Sequence, residues 1–309
     1  MALLNLRADG RTAKPRPSTR SLSPRRHFGA IAFVAPALLI YLAFSIWPAF
    51  NTLYYSMLDW DGLNAAEWVG FENYAKVFTE PELFNSILHS LVLVFFFAVL
   101  PIGLGLLLAG LLMGSGTRGL SAFRVIYFLP QVIPLVAVGI AWRWLYAENG
   151  PLNEFLETIG LGALAAPWLA GTDTALIALG LVGTWGMSGL CMMLFVSGAQ
   201  KIDSSLYEAA AMDGAGPIRR FVSVTLPGLR GEISIAAVIT TIAALSSFDL
   251  VYVTTSGGPE SATTVPGLLV YRLAFTYERI GHAAALAIVL TVLILIFVSV
   301  IRRLTKEKA

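Results

Sequence analysis

The sequence predicts an all-α, polytopic membrane protein with six transmembrane helices. Three observations carry that prediction. First, of the 309 residues 57% are hydrophobic and only 13% are charged, about half of the roughly 25% usual in a soluble domain. So few polar residues do not cover the surface of a globule this size, and the mean hydropathy of +0.74 agrees. Second, six apolar runs reach the length of about 20 residues that a spanning helix needs. Third, the period-2 alternation of a membrane β-barrel is absent from these runs.

The first run, 28–50, follows a tail, 1–27, that carries Arg7, Arg11, Lys14, Arg16, Arg20, Arg25 and Arg26 among Pro15, Pro17 and Pro24. That composition reads as a disordered basic segment. A basic tail before an apolar run is also how a signal peptide begins, and Arg25–Arg26 faintly resembles a twin-arginine signal. The run is too long for a signal peptide and no small-x-small cleavage site follows it, so it is expected to stay as a helix. The other crossings are expected at 87–113, 123–146, 175–197, 233–252 and 283–301.

Lys and Arg set the orientation. With six crossings, 17 of the 21 basic residues fall on the side of the two termini, including Arg118, Arg124, Lys201, Arg219, Arg220, Arg230, Arg302, Arg303, Lys306 and Lys308. Only Lys76, Arg143, Arg272 and Arg279 fall on the other side. Both termini are therefore expected in the cytoplasm, and the acidic first outer loop (Asp59, Asp61, Glu67, Glu72, Glu80, Glu82) faces outward.

Several function classes are excluded. A net charge of +2 is too small to argue for nucleic acid. Cys191 has no partner for a disulfide, and His27, His89 and His282 lack metal-ligand spacing. There is no phosphate-binding G-x-x-x-x-G-K-[ST], no dinucleotide G-x-G-x-x-G after a strand, no G-x-S-x-G elbow and no H-E-x-x-H helix. Any chemistry that powers the protein is expected from another chain.

The informative segment is the fourth loop, 200–231, whose pattern is helix–turn–helix. Ser205 and Glu208 have capping-box spacing. Leu206 to Met212 are mostly good helix formers. Gly214 and Gly216 suit a helix end, and Pro217 suits the first turn of a second helix running through Phe221 to about Thr225. Pro227 re-aims the chain toward the fifth crossing. On these grounds the loop is either a structured connector on the membrane surface or a docking element for a partner's groove.

Glu208-Ala209-Ala210, then Asp213-Gly214-Ala215, Phe221 and Leu226-Pro227, resemble the "EAA" loop of binding-protein-dependent ABC importer permeases. Val69-Gly70-Phe71-Glu72-Asn73-Tyr74, Phe128-Leu129-Pro130 and Phe248-Asp249-Leu250-Val251-Tyr252 with Gly257-Gly258-Pro259 resemble the carbohydrate-importing, maltose and glycerol-phosphate type, in the subunit with an extra first helix. Gly231 departs from the proline that many relatives have there. The resemblance implies the type I importer (MetI-like) permease fold and no enzyme activity in this chain. It implies a second, related permease in a heterodimer, two cytoplasmic ATPase subunits that carry ATP and Mg, an extracytoplasmic solute-binding protein, and a bacterial plasma-membrane location among lipid. No cofactor is expected on this chain. Glu208, Ala209, Ala210, Asp213, Gly214, Ala215, Phe221 and Pro227 would form the ATPase-coupling site.

Depth suggests where a solute binds. At 1.5 Å per residue, Gln131 lies about 12 Å above the inner end of crossing three, and Gly186 and Met187 about 17 Å below the outer end of crossing four. Thr240 and Ser247 lie about 10 and 21 Å above the inner end of crossing five. These positions share a layer near the midplane, where transporters place substrate, and small and polar side chains there serve helix packing equally well. The resemblance implies a sugar site at Gln131, Leu135, Gly186, Met187, Leu190, Thr240, Ala244 and Ser247. Asp249, the only acid within a crossing, either binds sugar hydroxyls or pairs with Arg143, Arg272 or Arg279. Trp185 either stacks on a sugar or packs.

Outside, 72–78, 148–159 and 268–280 read as short interfacial helices, which in the family meet the binding protein. The expectation is the transmembrane half of an ATP-driven importer for a sugar or sugar derivative. The alternatives are a permease for glycerol phosphate or another small solute, a secondary transporter acting alone, and a membrane enzyme. The last two lack coupling charges or a catalytic set.

Overall fold

In the computed structural model the described residues are 24–113 and 119–305. The expectations placed on residues 1–23, Arg118, Lys306 and Lys308 lie outside them. The chain divides into two units, Met1–Phe50 and Asn51–Ala309. Among the described residues, four helices are each long and apolar enough to cross a membrane, and the number rises to six when each of two sharply bent pairs counts as one span.

In the first unit, α1 (Pro24–Tyr41) starts at Pro24 rather than Phe28 and passes through a widened π turn, Leu42–Ile46, into α2 (Trp47–Tyr55). In the second unit a short antiparallel hairpin, β1 (Leu58–Asp59) and β2 (Glu67–Trp68), pairs Leu58 with Trp68. It leads into α3 (Glu72–Thr79). The second span is α4 (Pro81–Val94), a π turn at Phe95–Val99, and α5 (Leu100–Met113).

A third π turn, Phe221–Thr225, lies in the fourth loop. All three have one cause. Pro48, Pro101 and Pro227 each stand two residues past a π turn, so the residue four before each proline (Phe44, Phe97, Ser223) sits at the centre of that turn. A proline ring clashes with the carbonyl four residues back and offers it no N–H. A locally widened helix absorbs the clash without breaking.

Crossing three does break. The expected helix 123–146 is two helices, α6 (Leu120–Val132) and α7 (Leu135–Leu145), bent by 98°. Pro134 forces the residue before it out of the helical region, and Ile133 is extended, at φ −78° and ψ 132°. α8 (Pro151–Thr158) follows in the outer loop, and α9 (Thr172–Ala199) is an unbroken span.

The fourth loop holds α10 (Ser204–Met212), α11 (Pro217–Arg220) and α12 (Leu226–Gly228). The chain turns by 69° at Leu229 into α13 (Arg230–Leu245). The expected helix 233–252 is also interrupted, since α13 ends at Leu245 and α14 (Asp249–Thr254) starts after three residues outside either helix. Ser246 Oγ donates to the Ile242 carbonyl at 2.5 Å, a side-chain bond that competes with the backbone ladder. α15 (Pro266–Phe275) lies between this segment and the last span, α16 (Ile280–Thr305).

α9 is the centre of the second unit and packs along α5 and α6. Glycines on α9 set how close its neighbours come: the Phe97 ring covers Gly183, and the Tyr127 carbonyl lies 2.5 Å from where a Cβ on Gly189 would stand. With no gain from excluding water between apolar helices in lipid, such backbone approach is what holds a membrane bundle together. Leu93, Phe97, Leu179, Val182, Met187 and Leu250 form the largest part of the core around it.

Candidate functional site

Where crossing three breaks, α6, α7 and α9 leave a cavity of about 70 Å³. Gln131 comes from the last turn of α6, Leu135 and Val138 from α7, Val182, Gly183, Gly186 and Met187 from α9, with Phe97 and Leu250 closing the sides. Gln131 supplies the only hydrogen-bonding side chain of the lining. Gly186 leaves the wall open, since a Cβ there would meet nothing within 4 Å.

The expected residues separate into two sets. Gln131, Leu135, Gly186 and Met187 line the cavity together. Leu190 is half-buried one turn along α9 and is not part of the lining. Thr240 and Ala244 are fully buried in the helix packing, and the Thr240 hydroxyl donates to the Ala236 carbonyl of its own helix at 2.8 Å. Ser247, in the break after α13, is buried, and its Oγ has no hydrogen-bond partner. Asp249 is exposed at the start of α14. Of the arginines offered as its partners, Arg272 donates to the Ser256 carbonyl, while Arg279 meets His282 Nε2 at 2.8 Å and Glu80 at 3.9 Å. Trp185 packs edge-on against Trp142, centroids 5.6 Å apart. Sequence reasoning missed Phe97, Val138 and Leu250, which a helix count does not bring to one place. The Pro130/Pro134 pair was the available signal for the break.

The fourth loop is a second candidate site. Its first helix is capped by Asp203 rather than Ser205: the Asp203 carboxylate accepts from the Ser205 N–H at 2.9 Å, and α10 starts at Ser204. The expected Ser205/Glu208 capping box does not form, because the Asp203 carboxylate already holds the Ser205 N–H that the Glu208 carboxylate would take. These bonds, the backbone one foremost, hold the Asp203 carboxyl below its ordinary value.

At the other end, Gly214 is left-handed at φ +73°. The Ala215 N–H reaches the Ala210 carbonyl at 2.9 Å and the Gly214 N–H reaches Ala211 at 3.0 Å. This bond pair is a Schellman cap, so Asp213-Gly214-Ala215 is the helix stop. Glu208, Ala209 and Pro227 are exposed, and Ala210 and Ala215 half-buried. Met212 and Ile218 are 90% and 82% exposed, so the two short helices present apolar side chains outward.

The loop is tied firmly to the spans. Phe221 lies against α5, its ring 3.0 Å from where a Cβ on Gly110 would stand. Tyr207 Oη meets Thr225 Oγ1 at 3.0 Å. Lys201 Nζ bridges to Glu232 Oε1 of α13 at 3.1 Å. Among the described residues no group of three or more His, Cys, Asp or Glu stands ready to hold a metal.

On the outer side, Asn73 of the Val69–Tyr74 motif is fully buried. Its Nδ2 donates to the carbonyls of Ser56 at 3.0 Å and Leu58 at 2.8 Å, fastening α3 to the hairpin.

Residues 101–307 match the family described as "Binding-protein-dependent transport system inner membrane component". The chain is 33% identical to the "Probable ABC transporter permease protein YurN" of Bacillus subtilis (strain 168), over 85% of this chain and 91% of that protein. It is 33% identical to the "Diacetylchitobiose uptake system permease protein NgcF" of Streptomyces coelicolor, over 95% of this chain and 89% of that protein. The fold matches a chain in the crystal structure of a bacterial alginate ABC transporter in complex with an alginate pentasaccharide-bound periplasmic protein, with a TM-score of 0.77, 23% identity, and coverage of 92% of this chain and 98% of that one. A multi-pass bundle with an EAA-type loop capped at Gly214, a match over the C-terminal two thirds and full-length relatives agree: the chain belongs to the family of inner-membrane components of binding-protein-dependent transport systems and is a permease subunit of an ABC importer.

Proposed function

We propose that this permease forms half of the path by which a neutral sugar or sugar derivative, delivered by a solute-binding protein, enters a bacterial cell. The cavity at the break of crossing three carries the reading. Its wall holds an amide, glycine and apolar side chains and no charge, which suits an uncharged polyhydroxyl solute. Glycerol phosphate would call for an Arg or Lys at its phosphate. The carbohydrate in the name of the diacetylchitobiose relative supports the same class. The cavity is small, about 70 Å³. Movement of α7 against α9, or pairing with the cavity of a second permease, would enlarge it.

In this reading a related permease completes the path, and two cytoplasmic ATPase subunits, which carry ATP and Mg, receive α10 through Glu208, Ala209, Ala210, Gly214 and the exposed Met212. Phe221, Thr225 and Lys201 pass their closure to the spans as near-rigid motion. Both termini lie in the cytoplasm, as the basic side predicts. The test is uptake by vesicles that hold the complete importer, with a panel of radiolabelled maltose, trehalose and diacetylchitobiose. ATP-dependent accumulation of a member is expected. Uptake that persists without any ATPase subunit would overturn the reading.

A further inference from the structure

Four aromatic rings join α14 to α15 in a continuous ladder. Phe248 stacks on Tyr252 with centroids 5.2 Å apart, and both meet Tyr271, at 5.6 and 5.7 Å. Tyr271 then meets Phe275 at 5.4 Å. The ladder starts inside and ends outside: Phe248 packs against the core cluster that contains the cavity residue Leu250, while Phe275 is 77% exposed. It is also held in place. Arg272 donates to the Ser256 carbonyl, tying α15 to the end of α14, and Gly267 at the start of α15 lies against the Phe248 Cβ. Beside the first ring stands Asp249, exposed and, among the described residues, without an ion pair or hydrogen bond.

We propose that this ladder with Asp249 is a carbohydrate subsite at the outer mouth, which takes a pyranose ring before it reaches the cavity; the inference rests on the sugar-import reading. The chemistry matches on both counts. The C–H face of a pyranose lies on the face of an aromatic ring, and the tyrosine hydroxyls give each ring a polar edge. A free carboxylate accepts short, charge-assisted hydrogen bonds from neighbouring sugar hydroxyls. Aromatic rings also gather at membrane–water boundaries as an anchoring belt. A belt, however, has no use for an unpaired acid beside its innermost ring, nor for rings already packed on one another across two helices. The cavity is small, about 70 Å³, and an outer holding position gives a sugar somewhere to wait while the helices part.

The test uses the complete importer in vesicles and diazirine-labelled forms of maltose, trehalose and diacetylchitobiose, with peptide mapping of the photo-adducts. For whichever sugar the wild type imports, adducts are expected within 248–252 and 266–275, suppressed by excess unlabelled sugar. Tyr271→Leu should lower both labelling and uptake at limiting sugar by about tenfold, the scale of one lost aromatic contact. Tyr271→Phe, which keeps the ring, should restore labelling, and Asp249→Asn should raise the half-saturating sugar concentration. Import by the wild type with no adduct in these segments overturns the subsite and leaves the importer reading standing. Lower amounts of Tyr271→Leu protein in the membrane, with normal labelling per molecule, assign the ladder to the anchoring belt instead. Absence of ATP-dependent import of the whole panel removes both readings.

Discussion

Gly139 of α7 lies so close to Val253 of α14 that a Cβ on the glycine would overlap the valine Cγ2, with Thr254 Cγ2 and Leu250 Cδ1 at 3.4 and 3.5 Å. This contact joins the outer pieces of the two interrupted crossings. Each piece is short, 11 residues in α7 and 6 in α14, and too short to be stable by itself. Packed together they move together.

Gly139→Val should therefore separate α7 from α14. Overpacking of a tight contact costs about 1–3 kcal/mol. We expect a lower melting temperature for the purified importer and reduced uptake, while Val253→Ala in the same chain recovers part of both by removing the atom that clashes. Failure of the second change to rescue would place the damage elsewhere.

The cavity wall allows a paired comparison on α9. Gly183 is covered by the Phe97 ring, whereas a Cβ on Gly186 would meet nothing within 4 Å. Gly183→Ala should lower stability and the amount of assembled protein. Gly186→Ala should leave both unchanged, yet raise the half-saturating sugar concentration by narrowing the path. Gln131→Leu, which removes the only hydrogen-bonding side chain of the lining, should weaken uptake without a fall in membrane levels.

Gly214 closes α10 in the fourth loop in the left-handed conformation. A side chain there has room but adopts the left-handed region at a cost of about 1 kcal/mol. Gly214→Asn, which tolerates that region, should retain more ATP-dependent uptake than Gly214→Ala. Gly214→Asp adds a charge at the proposed ATPase contact and should abolish uptake while the protein stays in the membrane. A charge reversal at Glu208 should do the same. Pull-down of the ATPase subunit reports whether docking is what failed.

Asp203 gives the loop a pH dependence of known sign. Its carboxyl is held below the ordinary value by the Ser205 backbone bond, so the ionised form is favoured in the folded loop. The cap's contribution is full above the unfolded value and is lost as pH falls through the lower, folded one. Asp203→Asn, which still accepts a hydrogen bond, should therefore flatten the acid limb of loop protection measured by amide hydrogen exchange. An unchanged acid limb would argue against the cap.

Asn73→Ala should uncouple α3 from the hairpin. It leaves the Ser56 and Leu58 carbonyls without their buried donor, at about 1–3 kcal/mol. Reduced thermal stability with normal membrane insertion is expected, since the spans themselves do not depend on this bond.

Much of the architecture was legible because it depends on near-neighbour chemistry. The apolar run at 175–197, the stop at Gly214 and the start at Pro217 follow from residues within a few positions of each other. Other parts were not legible for the same reason. Ser205 and Glu208 have capping-box spacing, but Asp203, two residues earlier, takes the Ser205 N–H and becomes the cap. Thr240, Ala244 and Ser247 share a helix face, which marks them as pointing one way without saying toward what. Thr240 and Ala244 turn out to face packed helices.

By itself, the sequence determined that this is a membrane bundle, which loop carries the EAA pattern, and which side is basic. Hydrophobic length, helix caps and the distribution of Lys and Arg are one-dimensional quantities. Only the tertiary structure decided that crossings three and five are interrupted, and that Gln131, Gly186 and Leu250 meet at one break. A proline in a lipid-embedded helix either widens a turn, as at Pro101, or breaks the helix, as at Pro134, according to whether neighbouring helices satisfy the freed backbone groups. That depends on partners far away in the chain.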